Sequence, residues 1–276
     1  MMTKPSALLR HFDVYPKKSL GQNFMYDPIW IDRIINASEI SNSDVVLEIG
    51  PGSGSLTTAL AAVARKVIAV EIDNRLMPIL NHVLSGYSNV TVVCGDILEY
   101  DPYKLVAQHG VSKFVVVANI PYYITGQIMR HLLQANMVPD FITMSVQREV
   151  AERMVASPGQ MSLLSVSVQF YSDVKIVDYI PAGAFYPVPA VDSALIRLDV
   201  FDSSNYIHPD TKSFFRVVRA GFGQKRKQLQ NALVNGLGIS RDQAIGALSN
   251  AGLDARCRAQ TLTIQDWSHL TYSLSD

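Results

Sequence analysis

"DVVLEIGPGSG", residues 44–54, decides how this chain is read. Its first half is apolar, rich in Val and Ile, and near-continuous rather than alternating. A central strand of a parallel sheet reads this way when helices cover both faces. Gly50, Gly52 and Gly54 follow directly. Glycines there let the backbone turn sharply and approach a ligand, and the helix that follows offers free N–H groups. The spacing is GxGxG. A dinucleotide fingerprint needs GxGxxG, and its third glycine position is Ser55 here. The loop therefore argues against a nicotinamide cofactor.

Outward from this strand the pattern repeats. "KVIAVEI" (66–72), "NVTVVCG" (89–95), "KFVVVAN" (113–119) and "DFITMSV" (140–146) have the same character, and "SLTTALAAVAR" and "RLMPILNHVLSG" between them carry helical spacing. Alternating strand and helix predicts a doubly wound, Rossmann-like α/β sheet. "LLSVSVQFYSDVKIVDYI" and "SALIRLDVF" read as strands without an intervening helix, a hairpin closing the sheet edge. "FDSSNYIHPD" (201–210) reads as a linker. From Thr211 the signals are helical, with Ser240 and Gln243 spaced as a capping box. The expected organisation is one domain over 1–204 and a small all-helical C-terminal domain over 205–276.

Composition bounds the function. With 276 residues and 48% apolar content, a full core is available and general disorder is excluded. No apolar run approaches the ~18 residues of a membrane span, and the N-terminus lacks the apolar stretch of a signal peptide. A soluble cytoplasmic protein, monomeric and without a membrane partner, is expected. Cys94 and Cys257 form no CxxC pair, and the six histidines show no HxxxH or HExxH spacing, so neither a metal nor a disulfide is expected. The net charge is zero, yet from Ile207 onward 9 Lys/Arg face 5 Asp/Glu, against 15 and 19 before it. That local sign suits an anionic partner.

Glu71 ends the second strand, 21 residues after Gly50, where a carboxylate can accept both hydroxyls of a ribose. Asp96 ends the third, placed to face the base of the same nucleoside, although an Asp after a strand is often only a helix cap. A glycine loop and two acids in this order describe a nucleoside pocket without a phosphate clamp, which S-adenosyl-L-methionine fits. The fourth strand runs into Asn119-Ile120-Pro121-Tyr122. An adenine amine is a poor nucleophile because its lone pair is delocalised. Acceptors that hold its two N–H groups favour the tetrahedral nitrogen, and the Asn119 side chain and Ile120 carbonyl can do this. Pro121 restricts that carbonyl, and Tyr122 offers a flat face for the base.

The order "EIGPGSG", "VEID", "GD", "NIPYYI" resembles the class I methyltransferases that act on adenine amines. "KKSLGQNFM" (17–25), "QREVAERM" (147–154), "AFYPVPAVDSALIRL" (184–198) and "AGFGQKRKQLQNAL" (220–233) narrow the resemblance to the small-subunit ribosomal RNA adenine dimethyltransferases, the KsgA/RsmA family, over roughly residues 17–270. The resemblance implies that Asn23 and Met25 close over the cofactor, Gly50 and Gly52 lie in its loop, Gly50 against the methionine moiety, and Glu71 holds the ribose. It implies that Asp96 reads the cofactor adenine, Asn119 faces cofactor and target, and Phe185 stacks on the target base opposite Tyr122. The substrate it implies is two adjacent adenosines in the 3′-terminal hairpin loop of 16S rRNA, within the small subunit or its precursor.

The chain departs from the family pattern at Tyr123, usually Asn, at Met25, usually Leu, and in "SPGQMSLLSV", which is shorter and lacks a Tyr-Gly pair. Arg216, Arg219, Lys225, Arg226 and Lys227 cluster at the start of the helical domain. Alone they read as a solvated face; beside an adenine pocket they read as phosphate contacts, which Lys17 and Lys18 extend. Two other functions compete: a large-subunit rRNA methyltransferase of the macrolide-resistance type, and a non-catalytic ribosome-assembly factor. The first typically has Ser where Gly21 stands, and the second has no use for Glu71, Asp96, Asn119, Pro121 and Tyr122 together.

Overall fold

A computed structural model describes residues 5–111, 113–202, 206–207, 210–224 and 226–275. In chain order its elements are α1 (Pro5–His11), β1 (Phe24–Met25), α2 (Pro28–Ser38), β2 (Val45–Ile49), α3 (Ser55–Val63), β3 (Lys66–Glu71), α4 (Met77–Val83), β4 (Val90–Cys94) and α5 (Pro102–Ala107). They continue with β5 (Val115–Asn119), α6 (Thr125–Leu133), β6 (Phe141–Gln147), α7 (Arg148–Met154), α8 (Leu163–Gln169), β7 (Ser172–Ile180), β8 (Phe185–Tyr186) and β9 (Ser193–Val200). The last four helices are α9 (Thr211–Phe222), α10 (Leu229–Leu237), α11 (Arg241–Asn250) and α12 (Ile264–Ser273).

The main sheet has the order β4-β3-β2-β5-β6-β9-β7. The pairs β3–β4, β2–β3, β2–β5 and β5–β6 are parallel, and β9 runs antiparallel to β6. All five residues of β2 are buried, as expected of a strand covered on both faces. Ile31 and Ile34 of α2 and Leu56 and Leu60 of α3 pack on one side. Leu9 of α1 and Ile79 and Leu80 of α4 form a second cluster. Each such side chain contributes about 1.5–3 kcal/mol by leaving water. The chain moves outward from β2 to β4 and then returns to place β5 on β2's other edge. Such a reversal opens a crevice at the carboxyl ends of the strands.

Two compact units divide the chain: 1–151 with 174–200, and 152–173 with 201–276. The second crossing lies near the expected boundary, but residues 152–173 group with the helical unit rather than the sheet unit. The cause is local. "LLSVSVQ" is the helix α8, not a strand. Ser162 accepts from Ser165 N at 3.2 Å, and Ser165 Oγ accepts from Ser162 N at 3.0 Å, a reciprocal cap that overrides the β-branched alternation. The shortened loop before α8 lies in the second unit, where Gly159 N and Met161 N donate to the Gln260 carbonyl. Of the predicted linker, residues 203–205 and 208–209 lie outside the described residues.

Within the second unit, Phe170 packs on Phe214 with ring centroids 4.4 Å apart, and Phe215 joins them. A Cβ at Gly221 would stand 2.4 Å from the Trp267 ring, and one at Gly236 would stand 2.6 Å from Ala220 Cβ. These glycines let α9 meet α12 and α10 closely. Ser240 and Gln243 form the capping box the sequence predicts.

Candidate active site

At the carboxyl ends of β2, β3 and β5 a cleft of about 970 Å³, open mouth included, is lined by Asn23, Met25, Glu48, Gly50, Gly52, Glu71, Asp96, Asn119, Ile120, Pro121 and Tyr122, among others. The structure thus brings together every predicted cofactor residue, drawn from five separate stretches of sequence. Gly50 (φ +72°) and Gly52 (φ +57°) both lie in the left-handed region. A Cβ on Gly50 would meet only the Asn119 carbonyl, at 3.8 Å, so it would occupy cleft space. A Cβ on Gly52 would strike the Phe24 ring at 2.8 Å.

Glu71 is buried, and its Oε2 accepts from Gly52 N at 3.0 Å while Oε1 accepts from Asp73 N at 2.8 Å. Burial raises its pKa, and the backbone N–H bonds oppose the rise. Each oxygen keeps a second lone pair, which a ribose hydroxyl can use. Asp73 is a hub the sequence reading missed. Its carboxylate accepts from Arg75 Nε at 2.9 Å and from Gln22 Nε2 at 2.8 Å. Its pKa falls to about 2, mainly through the Arg75 side chain. Asp96 is the cap that an Asp after a strand often is, accepting from Leu98 N at 2.9 Å, and it also lines the cleft.

Glu48 was also missed. It is fully buried at the cleft floor, its Oε2 has no partner among the described residues, and burial pushes its pKa up to about 8. A charge inside a strand was the available signal. This orphaned acceptor and the glycine cradle suit a ligand that carries cationic groups and a ribose.

Asn119 is held at both ends. Its Nδ2 donates to the Asn23 carbonyl at 3.1 Å, and its Oδ1 accepts from Ser145 Oγ at 2.5 Å. Tyr122 bonds Ser193 Oγ at 2.7 Å, and burial raises its pKa, so the phenol stays neutral at physiological pH. Tyr123 is 61% exposed, and its ring and Pro121 flank Gly21. Ser193 and Ser145 carried no local signal beyond being polar residues in apolar runs.

Phe185 corrects an expectation. It is 1% exposed and packs in the core with Met25, Ile31 and Leu195, where β8 pairs with β1. Its ring is not presented to the cleft and cannot stack on a base in this conformation. Tyr186 beside it is 37% exposed. Among the predicted basic residues, Lys17 and Lys18 are exposed on the first unit, and Arg216, Arg219, Arg226 and Lys227 are exposed on the second. Arg216 and Arg219 line a groove with Gln224 and Asn235. Lys225 lies outside the described residues. Among the described residues no group of His, Cys, Asp or Glu could hold a metal, and no helix is long and apolar enough to cross a membrane.

A cleft at the switch point of such a sheet, lined by a glycine loop and an acid at a strand end, with an amide and a phenol at its edge, is the arrangement of a class I methyltransferase that works on an amine of a flat base. Known proteins narrow the class. Residues 15–274 match the family described as "Ribosomal RNA adenine dimethylase", and the chain belongs to that family: it is an S-adenosylmethionine-dependent rRNA adenine dimethyltransferase. It is 41% identical to the "Ribosomal RNA small subunit methyltransferase A" of Bacillus pumilus (strain SAFR-032), over 97% of this chain and 94% of that one. It is 38% identical to the protein of the same name from Dehalococcoides mccartyi (strain CBDB1), over 98% and 92%. The crystal structure of a dimethyladenosine transferase from Plasmodium falciparum superposes with TM-score 0.76 at 27% identity, over 90% of this chain and 95% of that one. That of the 23S rRNA methyltransferase ErmE superposes with TM-score 0.72 at 30% identity, over 92% and 100%.

Proposed function

We propose that this chain, acting as a monomer, dimethylates the exocyclic amines of two adjacent adenosines in the 3′-terminal hairpin loop of 16S rRNA, within the small subunit or its precursor. The observation that carries the chemistry is the Asn119 amide, pinned by Ser145 and Asn23 beside the neutral phenol of Tyr122. The small-subunit target is supported by the names of the relatives at 38% and 41% identity.

In this reading Glu71 receives the ribose hydroxyls and Asp96 the adenine of S-adenosylmethionine, which supplies an electrophilic methyl. Gly50 and Gly52 make room for the methionine moiety, and Asn23 and Met25 cover it. Asn119 Oδ1 and the Ile120 carbonyl accept the two N–H groups of the target amine, which localises its lone pair toward the methyl. When bound, S-adenosylmethionine would supply the methyl for the new C–N bond, the C–S electron pair staying on sulfur. The proton is acidic once the methyl is on nitrogen and leaves to solvent. Tyr122 holds the flat base in line. Arg216, Arg219, Arg226 and Lys227, with Lys225 in the same stretch, and Lys17 and Lys18 neutralise phosphates. Loop bases reach such a pocket at low unstacking cost.

The test supplies labelled S-adenosylmethionine and ribosomal subunits lacking the modification, then digests the RNA. Dimethyladenosine is expected at two adjacent positions of small-subunit RNA, and it should vanish in Asn119→Ala and Tyr122→Ala. The likeness to ErmE favours a second reading, a large-subunit target. Label confined to large-subunit RNA would establish that reading and sink the first. A further role in small-subunit biogenesis predicts that Glu71→Ala protein still binds immature subunits and slows their maturation; unchanged maturation kinetics would refute it.

A further inference from the structure

Asn119 is useful as an acceptor only if its amide oxygen, not its nitrogen, faces the target. The two flips of an amide have nearly the same shape, so packing cannot choose between them; hydrogen bonds must. Two groups reach this amide. The Asn23 carbonyl can only accept, so the atom 3.1 Å from it is Nδ2. The Ser145 hydroxyl, 2.5 Å away, is adaptable and takes the remaining role of donor to Oδ1. Parallel pairing of β5 and β6 sets Asn119 opposite Ser145, and Ser145 is 0% exposed, so water has no access to replace that donor.

The carbonyl that selects the flip belongs to an N-terminal strap, residues 15–25, which is itself tied down. Gln22 donates to Asp73 at 2.8 Å and accepts from Lys17 N at 2.8 Å. Arg75 holds Asp73 and donates to the Tyr15 carbonyl at 3.2 Å. Asp73 N in turn donates to Glu71, the predicted ribose acid. A continuous chain of bonds thus runs from Glu71 through Asp73, Gln22 and Asn23 to Asn119.

We propose that Ser145 and Gln22 are positioning residues for the methyl transfer: Gln22 holds the strap so that the Asn23 carbonyl selects the Asn119 flip, and Ser145 locks the oxygen that the selected flip presents. With the strap released, the carbonyl no longer distinguishes the flips. Catalytic geometry at Asn119 is then assembled only when the strap lies over the cofactor side of the cleft. This rests on the proposed role of Asn119 as acceptor for the target amine.

The test compares Ser145→Ala, Gln22→Leu and the double variant with the unchanged enzyme, using rRNA of both subunits lacking the modification. Single-turnover rate and S-adenosylmethionine Kd are read separately. Ser145→Ala should lower the rate about tenfold or more with Kd within twofold. Gln22→Leu should weaken Kd and lower the rate. The double variant should lose less than the product of the two single losses, because both act on one amide. An unchanged rate in Ser145→Ala overturns the proposal. So does a Kd that weakens in step with the rate, which would mark general damage to the fold. If the alanine variant does not fold, Ser145→Cys, a weak donor of similar size, decides by the same two readings. Failure of the unchanged enzyme to label either RNA would instead defeat the proposed function.

Discussion

The cleft of the sheet unit and the interior of the helical unit are built on opposite terms. In the cleft, side chains are held by hydrogen bonds with few alternatives: Glu71 by two backbone N–H groups, Asn119 from both ends, Tyr122 by Ser193. In the helical unit, shape does this work. Phe170, Phe214 and Phe215 interlock, and Gly221 is small because the Trp267 ring lies against it. Each region has exceptions, Gln230 Oε1 of the helical unit among them. Glu48 Oε2 in the cleft and Trp267 Nε1 in the helical core are buried without a partner among the described residues. Hydrogen-bonded networks fix direction and tolerate little polar change; close packing fixes distance and tolerates little change in volume.

The comparison can be broken most severely at Glu71. Removing it frees two backbone donors and the predicted ribose contact, so Glu71→Ala is expected to weaken S-adenosylmethionine binding at least about a hundredfold, ~3 kcal/mol. Calorimetric titration measures this, and retained affinity would show that the cleft network does not serve the cofactor.

Glu48 sharpens it next. Its pKa rises from 4.5 unfolded to about 8 folded, so the folded state binds the extra proton. The penalty relative to an ordinary Glu is absent below pH 4.5, grows as pH rises to 8, and is constant above. Glu48→Gln should therefore match the parent near pH 4.5 and exceed it at pH 8 by an amount on the order of 4 kcal/mol. Thermal melts at the two pH values decide; equal Tm differences at both would mean that folding does not shift the Glu48 pKa.

The smallest effect belongs to packing. Gly221→Ala places a Cβ where the Trp267 ring stands at 2.4 Å. A loss of about 1–3 kcal/mol in denaturant unfolding is expected, while S-adenosylmethionine affinity holds. Falling affinity with intact stability would erase the distinction between the regions.

Much of this was readable along the chain. The Val/Ile runs marked five strands in their observed order, because burial on both faces demands apolar residues at nearly every position. Gly50, Glu71, Asp96 and Asn119 were recognisable as residues of one cleft because strand ends are where such a sheet keeps its ligands. "LLSVSVQ" misled because its alternation mimics a strand, while the Ser162–Ser165 cap outweighed propensity. That error also hid residues 152–173 of the helical unit. Phe185 was expected at the pocket from its motif, and its pairing with Met25 buried it.

Order, strand identity and the chemical types at each strand end follow from the sequence, since they depend on local composition and on period. Partners do not. Ser145 lies 26 residues from Asn119, Gln22 51 residues from Asp73, and Asn23 96 residues from Asn119. Those distances close only through strand register and the path of the strap. The residues that hold the Asn119 amide are therefore ordinary polar side chains until the sheet is assembled: β5–β6 register sets Ser145 against Asn119, and the path of the strap brings Gln22 to Asp73.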